Sequence, residues 1–294
     1  MPLGMSTPLA SNPVGARLVR QYLRFTRRFK AATAGTIFLL LMILSSIFAP
    51  VLTPYSPTKP NVPERFKSPS LQHLLGTDDL GRDLTARILY GARPTLTAGA
   101  LSVFLALLAG SAIGIIAAYR GGWLDNILMR LMDIMLSFPA ILLAILIVTS
   151  LRPSLFNLIV AISFSMVPSF ARLTRSVVLV IMQQEHITAA RAIGSSDTQI
   201  IFNHVIPNTV PLIFVQATAS LAVAISTAAA LNYLGLGIEP PQADWGLMVS
   251  EGQKHVFSAA YIPLIPGAFI TVTVLSLNFI GDALRDHLDP VLRR

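Results

Sequence analysis

VIMQQEHITAARAIGSSDTQIIFNHVIPN, residues 180–208, is a polar, helix-prone stretch lying between apolar runs long enough to cross a bilayer. Hydrocarbon leaves polar groups unsatisfied, so a structured polar segment of this length faces water or a partner. Its punctuation predicts two short helices. Gly194 can take the left-handed conformation that closes a helix. Ser195, Ser196 and Asp197 offer N-cap oxygens, and Ser196 with Gln199 fits a capping box that restarts one. Pro207 is expected to end the second helix. The stretch reads as a knuckle pinned between membrane spans, where another protein can grip.

Working outward, 53% of the 294 residues are hydrophobic and only 12% are charged, against about 25% charged in an ordinary soluble domain. Apolar runs near 34–53, 95–119, 132–151, 155–171, 209–231 and 260–281 each approach the length that crosses the hydrocarbon core. The expected fold class is therefore an all-α integral membrane protein with six transmembrane helices. The expected organisation is a basic cytoplasmic segment (1–33), a first membrane anchor (34–53), an external loop (54–94), a five-helix core (95–282) containing the 180–208 knuckle, and a tail (283–294).

Orientation follows from charge. Arg17, Arg20, Arg24, Arg27, Arg28 and Lys30 precede the first span without a signal-peptide cleavage pattern, so that span reads as an uncleaved anchor. With the N-terminus inside, Arg120, Arg130, Arg172, Arg175, Arg191, Arg285, Arg293 and Arg294 also fall on the cytoplasmic side. Both termini and the knuckle are then cytoplasmic. This bias accounts for the net charge of +8 better than a nucleic-acid partner does. The absence of cysteine excludes disulfides and thiol catalysis.

Within the core, the second span places Ala106, Gly110, Gly114 and Ala118 at every fourth position, a pattern for close packing inside the subunit. The fifth span contains ATASLAVAISTAAA (217–230), and Gln216, Thr218, Ser220, Ser226 and Thr227 are candidate pathway-lining residues. Outside the core, residues 78–90 have apolar residues at helical spacing among charges, as in an amphipathic helix lying on the membrane. A second such helix is expected from Trp245 to Phe257, after a Pro-Pro break.

Catalytic chemistry is missing. Asp133 and Arg172 lie near span ends, where snorkelling accounts for them, and few other charges fall within spans, which disfavours ion-coupled transport. No GxxxxGK[ST] phosphate loop, HExxH pair or GxSxG elbow occurs. His73, His186, His204, His255 and His287 are scattered and read as solvated or interface residues, not metal ligands. Asp78, Asp79 and Asp83 lie within reach of Arg82 and Arg87 and read as an interfacial salt-bridge face. No catalytic or metal site is identified. The chain reads as a pathway without an engine.

The residues resemble those of the inner-membrane permease subunits of bacterial ABC importers, whose cytoplasmic motif runs E-A-A, three residues, Gly, nine residues, I-x-L-P. Ala189, Ala190, Gly194 and Pro207 keep that spacing, while Thr188 stands at the glutamate position and His204 at the first isoleucine. HLLGTDDLGRDLTARILYGARPTL (73–96), LNYLGLGIEPPQADWGLMV (231–249) and GDALRDHLDPVLRR (281–294) are similar to the C-type subunit of the dipeptide/oligopeptide group, which also includes nickel, glutathione and some sugar importers.

The resemblance implies a type I ABC importer permease fold in the bacterial cytoplasmic (inner) membrane, with a peptide cargo or alternatively nickel or another small solute. An ion-coupled secondary transporter is the rival from another class. The implied partners are a homologous B-type permease subunit, two ATPase subunits, an extracytoplasmic substrate-binding protein and membrane lipid, with no nucleic acid. No cofactor is implied on this chain; ATP with Mg belongs to the ATPase subunits. Thr188, Ala189, Ala190, Gly194, Ser196, Asp197 and Pro207 are the implied coupling residues.

Overall fold

The computed structural model describes residues 29–288, and their regular elements are helical apart from one isolated antiparallel bridge, Thr77 to Asp83. The basic residues Arg17 to Arg28, and Arg293 and Arg294 of the tail, lie outside the described residues. In chain order the α-helices, apart from the single turn Ala49–Leu52, are α1 (Lys30–Ile47), α2 (Leu84–Arg120), α3 (Gly122–Leu136), α4 (Ala140–Ser150), α5 (Leu155–Met182), α6 (Glu185–Ala192), α7 (Asp197–Ile200), α8 (Ile206–Tyr233), α9 (Trp245–Gly252) and α10 (Tyr261–Leu288). Four of these, α1, α2, α5 and α10, are long and apolar enough to cross a membrane, as is the continuous run through α7 and α8. The α3–α4 pair makes a sixth crossing only if it is counted as one span.

That pair contains the third span expected over 132–151, and it is broken. It bends by 89°. Pro139 lacks an amide hydrogen and disfavours helical backbone at Phe138, so α3 stops and α4 starts in a new direction from the extended Pro139. Apolar residues continue across the break, which hides it from a count of hydrophobicity.

The second span is also longer than expected. No separate surface helix covers 78–90; α2 begins at Leu84, where the Asp83 carboxylate accepts a hydrogen bond from the Ala86 amide at 2.6 Å. Leu84, Ile88 and Ala92 are buried against Met42, Trp245, Met248 and Ile262, so the first turns of α2 belong to the bundle. Residues 78–83 form a loop in which Asp78, Arg82 and Asp83 are buried and Asp79 is partly exposed. Arg82 Nε donates to Asp78 Oδ2 at 2.6 Å, and Glu251 Oε2 accepts from Arg87 at 2.6 Å and from Arg82 at 3.1 Å. His73, expected to be solvated, is buried with Nδ1 2.9 Å from Asp83 Oδ2.

Asp244 completes this end. It caps α9 through the Gly246 and Leu247 amides and accepts from Thr95 Oγ1 at 2.6 Å, while Trp245 Nε1 donates to the Ile88 carbonyl at 3.0 Å. Burial pushes the Asp244 carboxyl above its ordinary value, against the Thr95 and backbone hydrogen bonds that pull it down.

In the centre, α2 lies against α5. A Cβ on Gly110 would sit 2.6 Å from Phe170 Cβ, and one on Gly114 would sit 2.5 Å from the Ala171 carbonyl oxygen. The small-residue stripe therefore packs within the subunit, as its spacing predicts. Gly114→Ala is expected to destabilise the bundle by about 1–3 kcal/mol, the usual cost of overpacking. Thermal unfolding of the detergent-solubilised protein reads this, and an unchanged midpoint would contradict the close approach. At the ion network, Glu251→Gln leaves Arg82 and Arg87 short of a carboxylate. A loss of about 3 kcal/mol is expected, visible in the same assay.

Candidate coupling site

The 180–208 segment folds as two helices around a tight turn, then continues into a membrane span. α6 ends in a full Schellman arrangement: Gly194 adopts φ +85°, its amide donates to the Arg191 carbonyl, and the Ser195 amide donates to the Ala190 carbonyl, both at 3.0 Å. Two residues later the chain restarts. Ser196 Oγ accepts from the Gln199 amide and Gln199 Oε1 accepts from the Ser196 amide, the reciprocal capping box.

Pro207 does not end the second helix. α7 passes through one π turn, Ile201–Val205, into α8, where Pro207 lies in the first turn. The Ile206 amide donates to the carbonyl of Ile201, five residues back. Pro207 has no amide hydrogen and its ring crowds the carbonyl four residues before it, so the wider π turn makes room and the axis runs on. Residues 197–233 thus form one helical body from the knuckle through the membrane.

The knuckle is fixed to the bundle by a small core of its own. Ile187, Ala190, Ile200 and Val205 are buried with Ala118 at the end of α2 and Val178 and Ile181 at the end of α5. Tyr119 of α2 donates a hydrogen bond to Asp197 Oδ1 at 2.6 Å. Among the expected coupling residues, Ala190 therefore faces inward and Asp197 is held by α2, while Thr188, Ala189, Gly194, Ser196 and Pro207 are exposed. A Cβ on Gly194 would meet nothing within 4 Å. His204, at the motif's isoleucine position, faces the His186 ring with centroids 5.6 Å apart.

Three contributors escape sequence reading. Tyr119 lies far along the chain and looks like an ordinary span-end tyrosine. Ile193 and Phe202 are 83% and 63% exposed, giving the knuckle an apolar outer surface. The only signal in the sequence is their placement within a polar segment.

The five candidate pathway residues do not share one face. At about 100° per residue, Gln216, Ser220 and Thr227 lie within about 40° of one another, and Thr218 points to the opposite side. Gln216 Nε2 lies 3.4 Å from Ser220 Oγ, whereas Thr218 faces Gly281 of α10.

A helical bundle with five or six candidate crossings and an exposed, capped helix pair at one end is the architecture of a multi-pass membrane protein. Residues 110–294 match the binding-protein-dependent transport system inner membrane component family, and residues 18–69 match the N-terminal TM domain of oligopeptide transport permease C. The chain belongs to this family of ABC importer permeases and is a multi-pass protein of the inner membrane.

It is 45% identical over 274 residues to a dipeptide transport system permease of Alkalihalophilus pseudofirmus, covering 93% of this chain and 90% of that one. A glutathione transport system permease of Pectobacterium atrosepticum is 40% identical, with 92% and 90% covered. A di/tripeptide transport system permease of Pseudomonas aeruginosa is 39% identical, with 90% and 89% covered. The fold matches a solved structure of the inward-facing MetNI methionine ABC transporter with a TM-score of 0.58 at 19% identity, covering 69% of this chain and 96% of that one.

Ser196→Ala removes one half of the capping box. It is expected to cost about 1 kcal/mol locally. Hydrogen exchange should quicken at 197–200 and stay unchanged in α2 and α5.

Proposed function

We propose that this chain is the C-type permease subunit of an importer of di- and oligopeptides, driven by ATP hydrolysed on separate subunits. The observation that carries the reading is the knuckle. It is a capped helix pair, held on the ends of α2 and α5 and continuous with α8, whose outer residues Thr188, Ala189, Ile193 and Gly194 are exposed. Such a surface suits an ATPase subunit seated on it. Peptide cargo is supported by relatives named for dipeptide, di/tripeptide and glutathione transport.

The complex then contains a homologous B-type permease, two ATPase subunits that bind ATP with Mg, and an extracytoplasmic binding protein. Closure of the ATPases on ATP moves the paired knuckles together, and because the helical run 197–233 is continuous from knuckle to membrane, that displacement reorients the path. This chain contributes no catalytic group and no cofactor site.

The test is peptide uptake by the assembled importer in proteoliposomes. Uptake should require ATP and the binding protein, and should survive an uncoupler; uptake driven by an ion gradient without ATP would overturn the reading. Gly194→Arg separates folding from coupling. The left-handed backbone makes it cost about 1–2 kcal/mol, yet no internal neighbour blocks the side chain. Membrane insertion should persist while uptake and cargo-stimulated ATPase activity are lost.

A further inference from the structure

Exposed surfaces on these helices divide by chemistry. α1 exposes Ile37, Leu40, Leu41, Leu44 and Ile47, a surface suited to lipid. On α3, Trp123, Ile127, Leu131 and Ile134 make a similar exposed stripe. A second exposed stripe on α3 is polar: Asn126, Arg130 and Asp133, at positions i, i+4 and i+7. α5 carries its own, with Ser169, Arg172 and Ser176 exposed on one side. Hydrocarbon does not accept such stripes.

The two polar stripes meet where an Arg172 amino group lies 2.8 Å from Asp133 Oδ1. These two charges, expected to snorkel at span ends, pair across the helices. A cavity of about 350 Å³ opens beside them, lined by Asp125, Asn126, Met129, Asp133, Arg172 and Arg175. That volume lies in the range of about 300–1,000 Å³ typical of small-molecule sites. Arg172 lies ten residues before the end of α5 at Met182, about 15 Å along the helix from the knuckle.

Two ion pairs join α3 to α5, and they differ in kind. Arg175 grips Asp125 with two hydrogen bonds of 2.6 Å each, and the side chains are only 33% and 12% exposed. Bidentate, sheltered pairs are strong and geometrically fixed. Arg172 and Asp133 share a single contact with side chains 56% and 44% exposed. Pairs of that sort contribute little to stability, so each charge can exchange its partner for a ligand at small cost. One pair clamps the helices; the other is open to exchange.

We propose that this groove lines the translocation path and that the Arg172–Asp133 pair is a transient binding site for a zwitterionic peptide, Arg172 taking its carboxylate and Asp133 its ammonium. A zwitterion satisfies both charges when their mutual contact opens. A simple anion or cation leaves one of them unpaired. The inference rests on the peptide-importer reading above and adds to it where in this subunit the cargo is held.

The natural absence of cysteine makes the test direct. Single-cysteine variants Ser169→Cys, Ser176→Cys and, as a lipid-facing control, Leu41→Cys are placed in the full importer in inside-out vesicles and treated with a membrane-impermeant maleimide. The two groove positions should label and Leu41→Cys should not. Alanyl-alanine at millimolar concentration should slow labelling of Ser176→Cys, whereas its N-acetyl and C-amide derivatives should not. Adding Arg172→Gln should weaken that protection about tenfold, as loss of a charge-assisted hydrogen bond does, and Arg172→Lys should restore part of it.

Unlabelled groove positions, showing a surface covered by a partner subunit or lipid, would overturn the proposal. So would labelling indifferent to alanyl-alanine, or equal protection by the blocked derivatives. ATP-driven uptake by the same variant complexes in right-side-out proteoliposomes supplied with the binding protein separates the two readings. If uptake is intact and the groove fails these tests, only the site is wrong; if the parent complex does not use ATP, the importer reading itself falls.

Discussion

Two glycines on α2 set the geometry on which the rest depends. Between helices in lipid there is no hydrophobic drive to associate, so close packing of backbones has to supply the attraction. Gly110 and Gly114 permit it by leaving the space that Phe170, Ala171 and Thr174 of α5 occupy. The consequence appears at the knuckle ends of the same helices. Ala118 and Tyr119 on one, with Val178 and Ile181 on the other, arrive close enough to form a single seat for Ile187, Ala190, Ile200 and Val205. The knuckle does not hang from a loop. It rests on the joint made by the glycines.

The opposite end of α2 is fixed by different physics. There Asp83 and Asp244 cap two helices, Trp245 is fully buried, and the buried Asp78, Arg82 and Arg87 form a network with the partly exposed Glu251. Such a network contributes less to net stability than to a unique arrangement, because each buried charge requires its own partner. α2, with 37 residues, spans about 55 Å and so joins a polar external cap to the knuckle. Under the proposed function, a displacement at the cytoplasmic end has a continuous helix along which to travel, with Pro94 as its one internal proline.

Much of this was legible in the sequence, for reasons that are local. The Gly194 turn and the Ser196–Gln199 box rest on residue-specific backbone chemistry, and the structure has both. The Gly110–Gly114 stripe implies internal packing, which is where it lies. What sequence missed depends on geometry between elements. The run 132–151 is apolar throughout, so only the placement of Pro139 betrays a bend. Residues 78–90 carry charges at helical spacing whether they lie on lipid or begin α2, and only the distant partners Glu251 and Trp245 decide between these. Pro207 ends helices in isolation, but a π turn relieved its clash. Arg172 and Asp133 are far apart in sequence, and nothing in either neighbourhood names the other.

The exposed side of the knuckle presents the remaining question of cause. Internal packing accounts for Ala190, and hydrogen bonding accounts for Ser196, Asp197 and the closing turn at Gly194. It does not account for Ala189, Ile193 or Phe202, which are exposed. Lipid is no explanation for them, because they are interleaved with Thr188, Arg191 and Asp197, which water or protein must satisfy. Apolar residues held on a rigid frame among polar ones have the composition of a protein–protein contact: a small apolar centre with a polar rim. Rigidity matters to that reading, since a surface ordered before contact loses little entropy on docking. The two caps and the seat on α2 and α5 supply that order in advance, whatever the partner contributes.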